Sequence, residues 1–462
     1  MSPASLTGWI EANASALGML RVKDVIDPAA FEATAILSQL ETPEGAPPVL
    51  FERVKNLKGS PSPFQMLFNA YASFDSVVSA LGVTAERWRD LLAQIPQLTD
   101  QVRPHRTVTE APVQSHVQTA QEVDLRTLPW TRHVEGEGGD YFTPIVVARD
   151  PHSPRYNLSW NRAMYFDPRH AGVHLSPRQL WAFQRAAEEG GEDLPVALVL
   201  GHHPAFNMAA ASLTVSTVDE YAVAGALLGE PVEVVPSVTF GEELLVPAQA
   251  EAVIEGRLLA GKRAVEGPFG EYMRYLGPQK LSHVLEVDAI TWRDNPTVVE
   301  IFAGHDDHLN AHLAIHASLL AAAKNAVPQV VDLAWFKGGG PTTAVISLQK
   351  SAEGQPLRAA FAVIAAGNLV KQVIVVDDDI DAFDAQQVLW AVSTRVKAGE
   401  DVNIMRGLQG SLLDPSNPGF GPTEGMVIDA TWRLDSPNPP MARVPADAIT
   451  RFPLTRYEIE RS

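Results

Sequence analysis

The sequence predicts an α/β (α+β) chain in three parts, and three observations carry that prediction. At 462 residues the chain has room for roughly three domains of ordinary size. From about residue 106 to 305 it is a succession of short β-rich runs broken by Gly and Pro. In residues 306–462 strand patterns alternate with helical ones, which argues for a sheet covered by helices, and residues 1–105 mix the two patterns.

Composition bounds the rest. Hydrophobic residues make up 46% and charged residues 20%, as in a globular protein with ample core. The formal net charge of −19 argues against nucleic acid or an anionic membrane as partner, since both call for clustered positive charge. There is no cysteine, which excludes disulfides, thiolate nucleophiles, Fe–S clusters and Cys-ligated zinc. Met1-Ser2-Pro3-Ala4 lacks the basic and apolar regions of a signal peptide, and no apolar run approaches a membrane span; a cytoplasmic protein is expected.

In the first part, Leu6, Trp9, Ile10 and Ala14 have helical spacing within Ser5 to Leu20, with Thr7 as candidate cap. Ala29 to Leu40, Phe74 to Leu81 (stopped by Gly82) and Ala85 to Leu92 also read as helices, and Pro48 to Val54 as a strand. Nothing here carries chemistry by itself.

The second part opens with the strand pattern Phe142 to Ala148, followed by Tyr156 to Phe166. In an extended chain Asn157 and Arg162 would face opposite sides, so a shared task needs a bend or bulge between them. Arg is rarely buried unless paired. Ser176-Pro177 starts a helix through Ala187, and Pro195 to Leu200 is a buried strand ending at Gly201-His202-His203-Pro204. Thr217-Val218-Asp219-Glu220 is a capping-box pattern before the helix Tyr221 to Leu228, which gives Glu220 a bond back to the helix start without excluding a cation there. Ala252 to Leu258 leads into Glu266-Gly267-Pro268-Phe269-Gly270-Glu271. His283 to Trp292 and Thr297 to Phe302 read as an antiparallel pair around Asp294-Asn295-Pro296. In the third part, Asp307 to Val327, Leu357 to Leu369 and Phe383 to Val396 read as helices, and Val330 to Phe336, Thr343 to Leu348 and Gln372 to Val376 as strands. The Pro- and Gly-rich tail after Gly399 is expected to wrap a neighbour or stay loose.

Three constellations bear chemistry. The hexapeptide 266–271 holds two carboxylates in a turn, where neighbouring like charges can push pKa values apart and divide general acid from general base, although a Gly-Glu turn is also common on surfaces. On a continuous helix His308, His312 and His316 share one face, with His305 just before them. Metal ligation, a substrate-pocket wall and a half-buried helix face all fit that pattern, and no zinc-protease Glu stands between His312 and His316. Asp377-Asp378-Asp379-Ile380-Asp381 ends a buried strand, as a cation site or, more simply, as solvated loop charge. Phosphate-cradling glycine motifs and a Gly-x-Ser-x-Gly elbow are absent.

Taken in order, these pieces resemble the UbiD family of prenylated-FMN-dependent decarboxylases over nearly the whole chain. The resemblance is carried by Asn157-x4-Arg162, Gly201-x2-Pro204, Asp219-Glu220-Tyr221-x2-Ala224-Gly225, Val246-Pro247-Ala248 with Glu251 and Glu255-Gly256, and the hexapeptide from Glu266 to Glu271. Val375 to Asp381, Trp390-Ala391-x2-Thr394-Arg395 and Asp429-Ala430-Thr431 continue it.

The resemblance implies an N-terminal α/β region (1–105), a split β-barrel domain for prenylated FMN (106–305) and a C-terminal α/β oligomerisation domain with an extended tail (306–462). It implies Arg162, Glu266 and Glu271 as the catalytic set, Asn157 and Glu220 as metal ligands that with Arg162 hold the cofactor, and Mn2+ or Mg2+ with K+ nearby. The implied reaction is reversible, non-oxidative decarboxylation of an α,β-unsaturated, aromatic or heteroaromatic acid through a covalent cofactor adduct, which supplies the electron sink that CO2 loss from an sp2 carbon lacks. Glu271 would deliver the proton, with Arg162 paired to Glu266 orienting and polarising. The implied partners are a small carboxylic acid, a UbiX-like flavin prenyltransferase and further copies of the chain, as a dimer or dimer-based hexamer.

His305, His308, His312 and His316 would line the substrate pocket and suit a polar ring or one bearing a second carboxylate. Two departures touch phosphate and metal anchoring. Pro177 to Leu180 stand where the family has a metal-binding His, with His174 close but out of register, and Gly425 replaces a Lys. They keep alive a different reading, a non-catalytic flavin- or metal-binding homologue acting as an assembly partner.

Overall fold

The computed structural model describes residues 4–457 apart from 43–44, 213–217, 336–337, 368, 412, 418–420, 436–437, 440–441 and 443. Its centre is a nine-stranded sheet ordered Tyr141–Phe142, Ala163–Asp167, His170–Val173, Lys280–Trp292, Ala252–Glu266, Leu194–Val199, Ile145–Arg149, Tyr156–Trp160, with His116–Thr119 added along Lys280–Trp292. The sheet curls into a split barrel. The run expected from Tyr156 to Phe166 is therefore two strands. Tyr156–Trp160 pairs with Ile145–Arg149 at one end of the sheet, and Ala163–Asp167 pairs with Tyr141–Phe142 and His170–Val173 at the other. Asn161-Arg162 crosses the seam between those ends, beside the parallel crossing Thr143-Pro144, and Asn161 N–H donates to the Pro144 carbonyl at 3.2 Å.

The N-terminal sheet is ordered Leu20–Ile26, Val49–Val54, Gln65–Phe68, Thr297–Val299. The expected hairpin at 294–296 is therefore wrong. Thr297–Val299 is buried at every position and runs parallel to Gln65–Phe68, while Trp292 faces Ala252 and His116. A strand buried on both faces has no alternation to advertise its partner. The first helix is also shorter than expected, Leu6–Asn13, and its cap is Ser5, whose Oγ accepts from Gly8 N–H, not Thr7. The helix Phe74–Leu81 ends at Gly82 with φ 61°, as its sequence requires.

The C-terminal sheet is ordered Val330–Trp335, Thr343–Leu348, Gln372–Asp377, Thr423–Ala430, Val402–Leu408. Its last two members correct the expectation of a loose tail after Gly399, because the Gly- and Pro-rich turns between them hid two β-rich segments. The long helix expected over 307–327 is broken at His312 (φ −96°, ψ 26°) into Asp306–Ala311 and Leu313–Ala326. Within the Asp run, Asp377 and Asp379 clasp Arg395, whose side chain is wholly buried, while Asp378, Asp379 and Asp381 are exposed, as expected of solvated loop charge. Among the described residues no helix is long and apolar enough to cross a membrane.

Candidate active site

The seam crossing delivers Arg162 to the far end of the 15-residue strand Ala252–Glu266. Arg162 Nε lies 2.7 Å from Glu266 Oε1 and Nη2 lies 3.1 Å from Oε2, a forked pair, while Nη1 contacts Glu271 Oε1. The Phe269 ring lies 4.9 Å beneath the guanidinium. Burial works against the charge on Arg162, but the Glu271 and Glu266 carboxylates more than offset it and raise its pKa. Arg162 and two glutamates more than a hundred positions away from it thus meet as one buried ionic group.

The two glutamates are held differently. Glu266, fully buried, also accepts from Ser282 Oγ (3.1 Å) and Tyr141 Oη (3.3 Å), so both its oxygens are engaged. Burial and the Glu266 charge keep the Tyr141 phenol well above its usual pKa, as a permanent donor. Glu271 lies in the turn, its N–H bonded to the Tyr275 carbonyl, with one oxygen on Arg162 and no hydrogen-bond partner among the described residues for Oε2. Gly277 makes room for it, since a Cβ there would strike the Glu271 carboxylate. Glu271 is the member with an atom to spare.

Sequence reasoning missed several neighbours. Lys280, directly opposite Glu266 in the strand register, has its Nζ 3.0 Å from His174 Nε2 and no carboxylate within ion-pair distance among the described residues. Burial and then Arg162 lower its pKa to about 8, and burial with Lys280 keeps His174 neutral. Behind Phe269, Glu137 accepts from the Gly270, His133 and Val134 N–H groups, and His133 lies 3.3 Å from Glu300. Only the register, invisible before the strands were paired, could have nominated Lys280.

Asn157 and Glu220 meet as expected of a shared site. Asn157 Nδ2 is 2.7 Å from Glu220 Oε2, which also accepts from Leu158 N–H at 2.5 Å. Glu220 is the first residue of its helix and reaches across to this strand, and Asp219 stands at the cap position; Thr217 of the expected capping box lies outside the described residues. Asn157 Oδ1 is buried with no partner, an acceptor left over for a cation. Gln179, within the stretch that lacks the expected His, puts its Oε1 3.2 Å from Asn157 Nδ2. At Gly425 a Cβ would meet the Leu408 side chain and the Lys371 carbonyl, so a Lys would not fit without rearrangement.

The four histidines do not share one helix face, although His308 and His312 stay in ring contact, centroids 5.2 Å apart, with Tyr272 against both. His305 stacks on Phe302 and pairs with Glu41, His308 stacks on Tyr272, and His316 bonds the Leu333 carbonyl. Among the described residues no three or more His, Asp or Glu side chains gather as a metal-holding group. His312 takes a hydrogen bond with Tyr272 Oη (2.7 Å) and lines a cleft of about 460 Å³ with Arg178, Tyr272, Leu319, Trp335 and Val370. Tyr272 follows Glu271 directly in sequence, while the cleft itself is lined by Tyr272 and not by Arg162, Glu266 or Glu271.

The chain was compared with known proteins. Residues 14–95, 106–306 and 308–430 match the N-terminal, Rift-related and C-terminal domains of 3-octaprenyl-4-hydroxybenzoate carboxy-lyase. It is 30% identical over 442 residues to a phenolic acid decarboxylase of Sedimentibacter hydroxybenzoicus, spanning 91% of this chain and 90% of that protein. It is 34% identical over 316 residues to an anhydromevalonate phosphate decarboxylase of Methanothermobacter thermautotrophicus, 68% of this chain and 74% of the other. Among solved structures, the UbiD-class enzyme HmfF of Pelotomaculum thermopropionicum, in complex with FMN, superposes with a TM-score of 0.90 at 36% identity, over 98% of this chain and 100% of that one. An evolved dimeric form of HmfF in complex with prFMN gives 0.87 at 34%, over the same shares of the two chains.

Proposed function

Because the chain belongs to the UbiD family of carboxy-lyases, we propose that it catalyses the reversible, non-oxidative decarboxylation of an α,β-unsaturated, aromatic or heteroaromatic carboxylic acid. One observation carries the reading: Arg162 is locked by a fork to Glu266, while Glu271, on its outer nitrogen, keeps a second oxygen without a partner among the described residues.

Prenylated FMN, when bound, supplies the electron sink that CO2 loss from an sp2 carbon requires. The chain's residues do the rest. Arg162, held charged and immobile by its fork to Glu266, orients and polarises the substrate carboxylate. Glu271 carries the proton to the carbon that CO2 leaves, and in the carboxylating direction removes it. Glu266 with Tyr141 and Ser282 keeps the guanidinium plane in place, and Phe269 screens it from water. Asn157 and Glu220 would hold the divalent cation, Mn2+ or Mg2+, that carries the cofactor phosphate, a role the buried, unpartnered Asn157 Oδ1 suits.

The cleft walls favour a flat, largely apolar acid. Assembly from further copies is supported by exposed apolar side chains on the C-terminal part, Leu389 at 66% and Ile404 at 64%, with Phe361 and Trp390 less exposed at 45% and 43%. The test is co-expression with a flavin prenyltransferase and a panel of unsaturated and aromatic acids, reading CO2 release and solvent deuterium uptake. Release from at least one acid is expected. Bound flavin with neither release nor exchange across the panel sinks the enzyme reading and favours an assembly partner.

A further inference from the structure

Three side chains from three elements converge on one small volume: Asn157 on its strand, Gln179 at the start of helix Gln179–Glu189, and Glu220 at the start of helix Glu220–Leu228. Asn157 Nδ2 fills that volume, 2.7 Å from Glu220 Oε2 and 3.2 Å from Gln179 Oε1, while its Oδ1 is buried without a partner. The two ends of a carboxamide have nearly the same shape. Half a turn of Asn157 about its terminal bond therefore brings Oδ1 to the place of Nδ2, at similar separations from the other two oxygens.

Oxygens so placed repel one another unless a cation lies between them. Mg2+ holds its oxygens at about 2.1 Å in an octahedron, whose edges are then about 3.0 Å. The two separations, 2.7 and 3.2 Å, bracket that edge.

Resting on the reading that Asn157 and Glu220 hold the cofactor's cation, we infer that Gln179 Oε1 is a further ligand, which makes the protein's share of the site entirely oxygen and selects a hard divalent ion. Two amide oxygens and one carboxylate suit Mg2+ or Mn2+ and offer no imidazole or thiolate to favour Zn2+, Co2+ or Ni2+. One carboxylate leaves a divalent ion with excess positive charge, so the ion and an anionic phosphate bind as a pair and each is held weakly without the other.

The test loads the full chain with FMN and measures Mn2+ binding by electron paramagnetic resonance, then metal content after competition among equimolar Mg2+, Mn2+, Co2+ and Zn2+. Wild type is expected to take Mn2+ or Mg2+, and far more tightly with FMN than without. Gln179→Ala is expected to weaken Mn2+ by about 10- to 100-fold, at least the loss seen when outer-shell partners are removed, with an unchanged Tm. Gln179→His is expected to swing the competition toward Co2+ and Zn2+. Wild-type Mn2+ affinity in Gln179→Ala, or an unchanged metal preference in Gln179→His, overturns the inference. If Glu220→Ala still loses Mn2+ and FMN in that case, the underlying reading of the site survives; if Glu220→Ala keeps both, that reading falls as well.

Discussion

Two places in this molecule hold one buried guanidinium between two carboxylates, yet they are built for different ends. Arg395 has Nη1 2.9 Å from both Asp377 Oδ2 and Asp379 Oδ1, and Nη2 2.8 Å from Asp379 Oδ2. Asp377 also accepts from Trp432 N–H, and the rings of Trp432 and Trp390 lie 4.9 and 5.5 Å from the guanidinium. Its partners come from one strand end just before its own helix, and both Asp379 oxygens are taken. The Arg162 group is assembled from distant segments, has a second cation beside it, and leaves Glu271 with an oxygen to use. Ionic composition is the same in both. What separates the two is their origin, one strand end for the latch and distant segments with a second cation beside them for the candidate reactive group.

The sharpest way to break that comparison is to remove the spare atom. Glu271→Gln is expected to lower turnover by about 10²- to 10⁴-fold while flavin absorbance and Tm stay as in wild type. Retained turnover would take Glu271 out of the chemistry. The opposite pattern is expected for Arg395→Met, which strands two carboxylates and should destabilise the fold by about 3–5 kcal/mol in chemical denaturation, with turnover per folded molecule unchanged. An Arg395→Met protein as stable as wild type but inactive would erase the distinction between the two groups.

How far the sequence revealed these groups follows from the range over which each is determined. Elements set by local rules were legible: Phe74–Leu81 with its Gly82 stop, and the buried strand Leu194–Val199. Arg162, Glu266 and Glu271 were legible because their order and spacing resemble a known family, and not because anything local joins residues 162 and 266. Local reading failed where tertiary pairing decided. Thr297–Val299 leaves its hairpin for the N-terminal sheet, His312 breaks the helix that would have aligned the histidines, and Asp377 and Asp379, in a run otherwise open to solvent, find Arg395. Lys280, His174 and Gln179 carry no motif; strand register and helix placement alone bring them to the site.

A third prediction sharpens the comparison through pH. Burial opposes a charge on His133, but the flanking Glu137 and Glu300 carboxylates outweigh it and hold its pKa at about 9, above the ordinary 6.5. The folded state therefore binds more protons than the unfolded chain between those two values. This stabilisation is complete below pH 6.5 and lost as pH rises through 9, amounting at most to roughly 3 kcal/mol. His133→Gln should flatten the fall in denaturation free energy between pH 6.5 and 9. Equal slopes in wild type and His133→Gln would mean that His133 is neutral in the fold.

The smallest effect concerns a third arginine, which completes the series. Arg395 has all its carboxylate contacts filled, Arg162 shares one partly free partner, and Arg178 has no ion pair or side-chain hydrogen bond among the described residues although it lines the cleft beside Tyr272. An exposed cation is ordinary on a surface, but against an apolar wall of Leu319, Trp335 and Val370 it offers the one fixed charge for a group at the far end of a substrate ring. Acids carrying a second carboxylate should therefore gain over their plain counterparts. Arg178→Gln should raise KM for them by about tenfold, roughly 1.4 kcal/mol, while leaving kcat and the KM of unsubstituted acids unchanged. A uniform change across the panel would place Arg178 in the fold or at the cofactor, and no change would leave the cleft without a charge-reading residue.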